Sequence, residues 1–325
     1  MNFDIVRRNA AWIRFEKDVR TDTVSHAYLV CGEDDDLRAS FLTLACLRIL
    51  CPTACGECDT CRTILNGNHP EIIRLDGNDK IKVEDLKAVT DELYIRPAIG
   101  DKKIFIIDNA DLLSPQVQNK LLKTYEEPPA YLIIFLAAKH ENSLLQTVRS
   151  RGKKLYLEDV PTALIAQELV DNGENEETAE IAAAFSMGNY SKAEKFCQEE
   201  KYREQFEKTF DMMASLKKSS QVPEFAYSGL FEKDTVKLTY DFMEIILCDV
   251  LKKVTNSNVP TYTVNRDYDL KRAAEGFSPQ SAAMAINAVN EARQKLSANM
   301  NSVSVSGNLL MSILEGKYKW KKRTV

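Results

Sequence analysis

The chain has 325 residues, 44% of them hydrophobic and 28% charged, with a formal net charge of −5. That length exceeds one typical core and points to two or three domains, and the composition is that of a soluble globular protein. No apolar run approaches the roughly 18 to 20 residues of a helical membrane crossing, the N-terminus MNFDIVRRNAAWIRFEKDVR has no signal-peptide core, and the mixed charge argues against a surface devoted to nucleic acid; a cytoplasmic protein is expected.

Apolar residues at helical spacing (Ile5, Trp12, Ile13, Phe15, Val19) predict one helix over residues 3 to 20. Ser25 to Gly32 is a short apolar run ending in glycine, a first strand, and Leu37 to Leu50 predicts a helix. Strand, tight turn and helix together make the geometry of a phosphate-binding loop, in which backbone amides and a helix N-terminus surround the phosphates. The turn itself reads Gly32-Glu33-Asp34-Asp35-Asp36-Leu37-Arg38-Ala39. Laid on G-x-x-x-x-G-K-[ST], Leu37 stands for the second glycine, Arg38 for the lysine and Ala39 for the magnesium-binding hydroxyl. Consecutive acids would repel a triphosphate, and Leu37 carries a Cβ where the backbone must come close. The loop is therefore expected not to bind ATP, and its acids read as complements to the positive end of a helix.

Directly after that helix comes Cys51-Pro-Thr-Ala-Cys55-Gly-Glu-Cys58-Asp-Thr-Cys61. This spacing lets four thiolates converge on one tetrahedral ion, and predicts structural zinc with no open coordination position for a water. The alternative is an oxidised or metal-free loop, and the few basic residues nearby argue against a nucleic-acid reader. The remaining cysteines (Cys31, Cys46, Cys197, Cys248) are scattered and read as buried small side chains. Ile72 to Leu75 predicts a second strand, and Ile81 to Tyr94 a helix with one apolar stripe, broken by Pro97 and Gly100.

Two apolar, β-branched runs follow, Lys103 to Ile107 and Leu132 to Ala137, with an amphipathic segment closed by Pro128-Pro129 between them. Strand, helix, strand with a crossover of this length predicts two parallel strands covered on both faces. The first ends in Asp108, at the edge where such sheets place their ligands. In nucleotide-hydrolysing folds an acid there holds magnesium and the following Glu polarises water. Here Asp108 fills the first position and Asn109 the second, and an amide cannot accept a proton. Asp108 also reads as a strand-end acid capping the next turn, and Asp111 as a helix cap or solvated acid. Beyond Pro161 only helical patterns remain: 162 to 170, 175 to 185, a turn at Gly188 into a third helix, then 202 to 218, 232 to 254, 278 to 298 and 302 to 316. The Trp320-Lys321-Lys322-Arg323 tail reads as a solvated terminus, with nucleic-acid contact as the alternative.

The zinc module with His69-Pro70, the segment Asn119-Lys-Leu-Leu-Lys-Thr-Tyr-Glu-Glu-Pro-Pro129 and the run Leu144-Leu-Gln-Thr-Val-Arg-Ser-Arg151 together resemble the clamp-loader branch of the AAA+ proteins. Leu296-Ser-Ala-Asn-Met-Asn301 with Leu309-Leu310 is similar to the branch's last collar helices. The resemblance implies a RecA-like α/β AAA+ domain with inserted zinc module (residues 1–158, module 51–61), a small helical lid (159–200) and an all-α collar domain (201–325). It implies assembly with ATPase subunits and a delta subunit in a hetero-pentamer that loads a sliding clamp on primed DNA. The expected role is a non-catalytic stator without ATP turnover, the alternative an ATP-hydrolysing motor subunit. The branch's Ser-Arg-Cys motif, here Ser150-Arg151-Gly152, implies that Arg151 acts in trans at a neighbour's ATP site; the competing reading pairs Arg151 with a local carboxylate. Ser191 sits where active members carry a sensor arginine, with Lys192 beside it.

Overall fold

A computed structural model describes residues 3–79, 81, 83–259, 261–263 and 266–321. Of the Trp320–Arg323 tail it describes only the helical backbone of the first two residues. The chain divides into two compact units, Met1–Val160 and Pro161–Val325.

The first unit runs α1 (Phe3–Arg8), α2 (Ala10–Arg20), β1 (Ala27–Cys31), α3 (Asp35–Leu50), α4 (Asp59–Leu65), β2 (Ile72–Asp76), α5 (Val83–Leu93), β3 (Lys103–Asp108), α6 (Pro115–Glu126), β4 (Leu132–Ala138), α7 (Gln146–Arg149) and β5 (Lys153–Tyr156). The five strands form one parallel sheet in the order β2-β3-β4-β1-β5. Both apolar runs read as a parallel pair do pair, with Lys103 opposite Leu132. Every residue of β1 and β4 is buried, whereas the edge strands β2 and β5 are partly open. Tyr28 and Phe135 stack on one face of the sheet, in a cluster with Phe15, Phe41 and Trp12. Leu29, Phe105, Ile107 and Leu136 join Val117, Leu121 and Tyr125 of α6 on the other.

The single N-terminal helix predicted over residues 3 to 20 is two helices. Asn9 breaks it: its side chain accepts from Ala11 N at 3.1 Å as the cap of α2, and donates to Glu158 O at 3.1 Å. A buried asparagine that satisfies both ends of its amide outweighs helical continuity. Strand β5 was not legible, since Lys153-Lys154-Leu155-Tyr156 buries only Leu155.

The second unit is helical throughout its described residues: α8 (Thr162–Asp171), α9 (Glu176–Ser186), α10 (Tyr190–Gln198), α11 (Glu200–Ser215), α12 (Val222–Ala226), α13 (Val236–Val254), α14 (Asp267–Ala274), α15 (Pro279–Ser297) and α16 (Ser302–Lys321). Residues on the two sides of position 200 pack together, Phe185 and Phe196 against Phe206 and Phe242, with Phe185 and Phe242 centroids 4.7 Å apart. Helix α14 escaped the periodicity because only Leu270 and Ala273 are buried along it. No helix among the described residues is long and apolar enough to cross a membrane.

Candidate functional site

The carboxyl edge of the sheet holds the loop that resembles a nucleotide site, and its own side chains close it. Asp34 caps α3, its Oδ1 accepting from Asp36 N at 3.1 Å and Leu37 N at 3.0 Å. Those amides are the donors a phosphate-binding loop offers to its ligand. Leu37 is buried, so the position that needs a glycine is filled by packed side chain. Arg38 turns back into the loop with its side chain 3% exposed, donating to Gly32 O and Asp35 Oδ1, and to Asn109 Oδ1 at 3.3 Å. A fixed guanidinium thus stands in the centre of the loop. Ala39 contributes no hydroxyl in the next turn of α3.

Asn109 continues the network. It adopts the left-handed conformation (φ 47°, ψ 43°), which asparagine tolerates better than most side chains. Its Nδ2 donates to Asp76 Oδ1 at 2.9 Å, and its backbone carbonyl lies so near Gly77 that a Cβ there would come within 2.1 Å. Hydrogen bonds therefore run from Arg38 after β1, through Asn109 after β3, to Asp76 at the end of β2. The Asn109 and Asn78 donors hold the Asp76 carboxyl below its ordinary value against its desolvation. Asp108 faces sideways: its Oδ2 pairs with Arg74 Nε of β2 at 2.5 Å, and Asn109, not Asp108, stands at the head of the following 3-10 turn. Asp111 accepts from Lys139 N at 3.4 Å.

Between α3 and α4, Cys51, Cys55, Cys58 and Cys61 place their sulfurs within 4.8 Å of one another, with Cys51–Cys55, Cys55–Cys61 and Cys51–Cys58 each at 3.9 Å. A tetrahedral ion with bonds of about 2.3 Å spaces its sulfurs by roughly 3.8 Å, so the residues fit zinc. Ala54 (φ 45°) and Gly56 (φ 77°) make the left-handed turns that bring Cys55 round to the others, and Cys58 caps α4 by accepting from Cys61 N at 3.5 Å. The Thr53 hydroxyl, then the Cys55 amide, lowers the Cys51 thiol to about 6. Burial pushes Cys61 up to about 12, and a metal held by all four thiolates must displace its proton with the others. His69 stands apart, buried, its Nδ1 accepting from Glu71 N at 3.2 Å.

Arg151 follows α7 at the start of β5. Its Nη2 lies 2.6 Å from Glu126 Oε1 and its Nη1 donates to Thr147 O at 2.7 Å, while Ser150 Oγ donates to the same carbonyl at 3.1 Å. A Cβ on Gly152 would lie 3.4 Å from the backbone N of Leu29, so this residue brings the motif close against β1. Arg151 thus pairs with a carboxylate of its own chain, as the competing reading had it; sequence reasoning did not single out which one, though Glu126 lies in the quoted Glu-Glu-Pro-Pro segment. The Arg38–Asn109 contact was also missed, because a separation of 71 residues leaves no local pattern. In the second unit Ser191 is buried near the start of α10, and Lys192 Nζ lies 3.8 Å from Asp241 Oδ2.

Residues 7–161 match the family model described as DNA polymerase III, delta subunit. The chain is 25% identical over 310 residues to DNA polymerase III subunit delta' of Bacillus subtilis (strain 168), covering 92% of this chain and 93% of that protein. It is 37% identical over 139 residues to subunit delta' of Yersinia pestis, covering 42% of this chain and 41% of the relative. It is also 31% identical over 171 residues to subunit tau/gamma of Haemophilus influenzae, covering 51% of this chain and 25% of that protein. The chain thus spans about a quarter of the length of the tau and gamma relatives it matches. Residues 7–161 thus match the DNA polymerase III delta-subunit model, and the chain is similar over most of its length to a delta-prime subunit.

Proposed function

We propose that the chain is a delta-prime-type stator of a DNA polymerase III clamp loader, a AAA+ subunit that hydrolyses no ATP itself and serves the site of a neighbour. The observation that carries this is the buried Arg38 guanidinium, bonded to Gly32 O, Asp35 and Asn109 within the loop. With Asp34 occupying the amides at the start of α3 and Asn109 in place of a base, neither the binding nor the hydrolytic half of a nucleotide site remains. Asp108, spent on Arg74, is not free to hold magnesium.

The partners in this reading are the ATPase subunits and a delta subunit of a hetero-pentameric ring, with the sliding clamp and primed DNA reached through the assembly. The helical unit supplies a lid (159–200) and a collar (201–325). In this reading Arg151, held by Glu126 and Thr147 O and partly exposed, reaches across an interface. There a guanidinium stabilises the charge that develops on a transferring phosphoryl group. Zinc bound by Cys51, Cys55, Cys58 and Cys61 has every position filled by protein, so it fixes the loop between α3 and α4 and does no chemistry. Its contribution is to hold four thiolates together that would otherwise repel.

The test is assembly and nucleotide binding of the full chain. Mixed with its ATPase partners, it joins a ring detectable by native mass spectrometry, yet alone it leaves labelled ATP unbound at micromolar concentration. Micromolar ATP binding by the isolated chain, or failure to enter the ring, contradicts the reading.

A further inference from the structure

Glu126 is the last residue of α6, and Pro128-Pro129 follow one residue later. Neither proline can continue the helix, so the chain leaves α6 at a fixed point and the Glu126 carboxylate stays at its end. Across from it Arg151 occupies the junction of α7 and β5. Two of the five donors of a guanidinium are used, one on Glu126 Oε1 at 2.6 Å and one on Thr147 O at 2.7 Å. The side chains are only partly covered, 35% exposed for Arg151 and 49% for Glu126. A carboxylate in this position does what a phosphate oxygen would do: it is an anion accepting a charge-assisted bond from the same fork of the same arginine. A phosphate that takes the same Nη2–H displaces the carboxylate, while the remaining N–H groups of the fork stay open to other acceptors.

We propose that Glu126 is the positioning residue for Arg151, holding the guanidinium at the surface in the unassembled chain and yielding it to the phosphates of a neighbouring subunit's nucleotide. The proposal rests on the reading of Arg151 as a group that acts in trans. Its physical content is a competition. An exposed pair of this kind shifts an equilibrium by roughly 1.5- to 5-fold, enough to keep the arginine in place and too little to prevent its transfer. A phosphate that binds the Glu126-facing edge of the fork displaces the carboxylate, so Glu126 sets part of the apparent affinity for ATP at that site and none of the chemistry that follows.

The experiment uses a loader reconstituted from the full chain, its ATPase partners, the sliding clamp and primed DNA, with ATP hydrolysis measured against ATP concentration. Glu126→Gln keeps the shape of the side chain and removes the charge. It is expected to lower KM by about two- to fivefold at the facing site, with kcat within about twofold. Glu126→Asp, which restores the anion, returns KM toward the starting value. In an Arg151→Ala background Glu126→Gln changes nothing, because the competitor has lost its object. A residue that merely ended α6 would act equally in both backgrounds. An equal effect in both, or an unchanged KM where Arg151→Ala alone slows turnover, overturns this inference and leaves the trans role standing. Unchanged turnover on Arg151→Ala in an assembled ring overturns both.

Discussion

Arg38→Ala is the substitution that most directly tests whether the loop is closed from within. The guanidinium is almost wholly buried and bonds to Gly32 O, Asp35 Oδ1 and Asn109 Oδ1. Its removal leaves the Gly32 carbonyl and the Asn109 amide oxygen without this donor, each a loss of about 1 to 3 kcal/mol when the group stays buried. Asp35 is well exposed, so its carboxylate returns to water at little cost. The space left by the arginine stem admits water, which recovers part of the loss. We therefore expect a net destabilisation of about 2 to 4 kcal/mol in the first unit. Urea unfolding of the full chain reads the magnitude, and hydrogen exchange at the β1 and β3 amides assigns it to the sheet edge. ATP binding should not appear, because Asp34 still occupies the α3 amides and Leu37 still lacks a glycine's freedom. A loss below about 0.5 kcal/mol, or the gain of ATP binding by this single change, would refute the closed-loop argument.

Three further outcomes concern the metal loop, the Tyr125 hydroxyl and Lys317. The chain should bind one zinc ion, measured by elemental analysis; Cys55→Ser should lower that content, and a strong chelator should lower the melting temperature. Tyr125→Phe should leave stability unchanged or raise it by about 1 kcal/mol in a melting experiment, since the Tyr125 hydroxyl is buried without a hydrogen-bond partner. Lys317 is buried with Nζ 3.3 Å from Leu216 O, and burial first, then Lys217, lowers its pKa from 10.5 to about 8 while Glu275 opposes the shift. Between those two values the unfolded chain binds the extra proton, so Lys317 makes wild-type stability rise with pH across that window. Lys317→Met should abolish that rise and stabilise the chain by roughly 2 to 3 kcal/mol at pH 7, as followed by urea unfolding from pH 7 to 10.5.

The parts of the molecule readable from sequence are those whose physics is local. Uninterrupted β-branched runs marked β3 and β4 because both faces of these strands are buried, and cysteine spacing marked the metal loop because ligand geometry is set within eleven residues. Arg38 was visible as a substitution for lysine, but its role depends on Asn109, which reaches it only after the chain has crossed the sheet. The break at Asn9 was hidden for the same reason, since its amide is satisfied by Glu158 from the far end of the unit. Strand β5 alternates too weakly to stand out, because an edge strand with one buried residue has little need of apolar side chains. Arg151 was singled out by its motif, yet the carboxylate that holds it lies 25 residues earlier in a segment noticed for its prolines.

The central claim is that this chain hydrolyses nothing itself and supplies Arg151 to a neighbour. The direct measurement is DNA-stimulated ATP hydrolysis at the facing site in loaders reconstituted with the wild-type chain or with Arg151→Ala, after confirming that both enter the ring. A finger arginine is worth about 10³ to 10⁵ in rate at its own site, so turnover there should fall by at least a factor of about 100 with assembly intact. Equal turnover in two fully assembled rings would contradict the account.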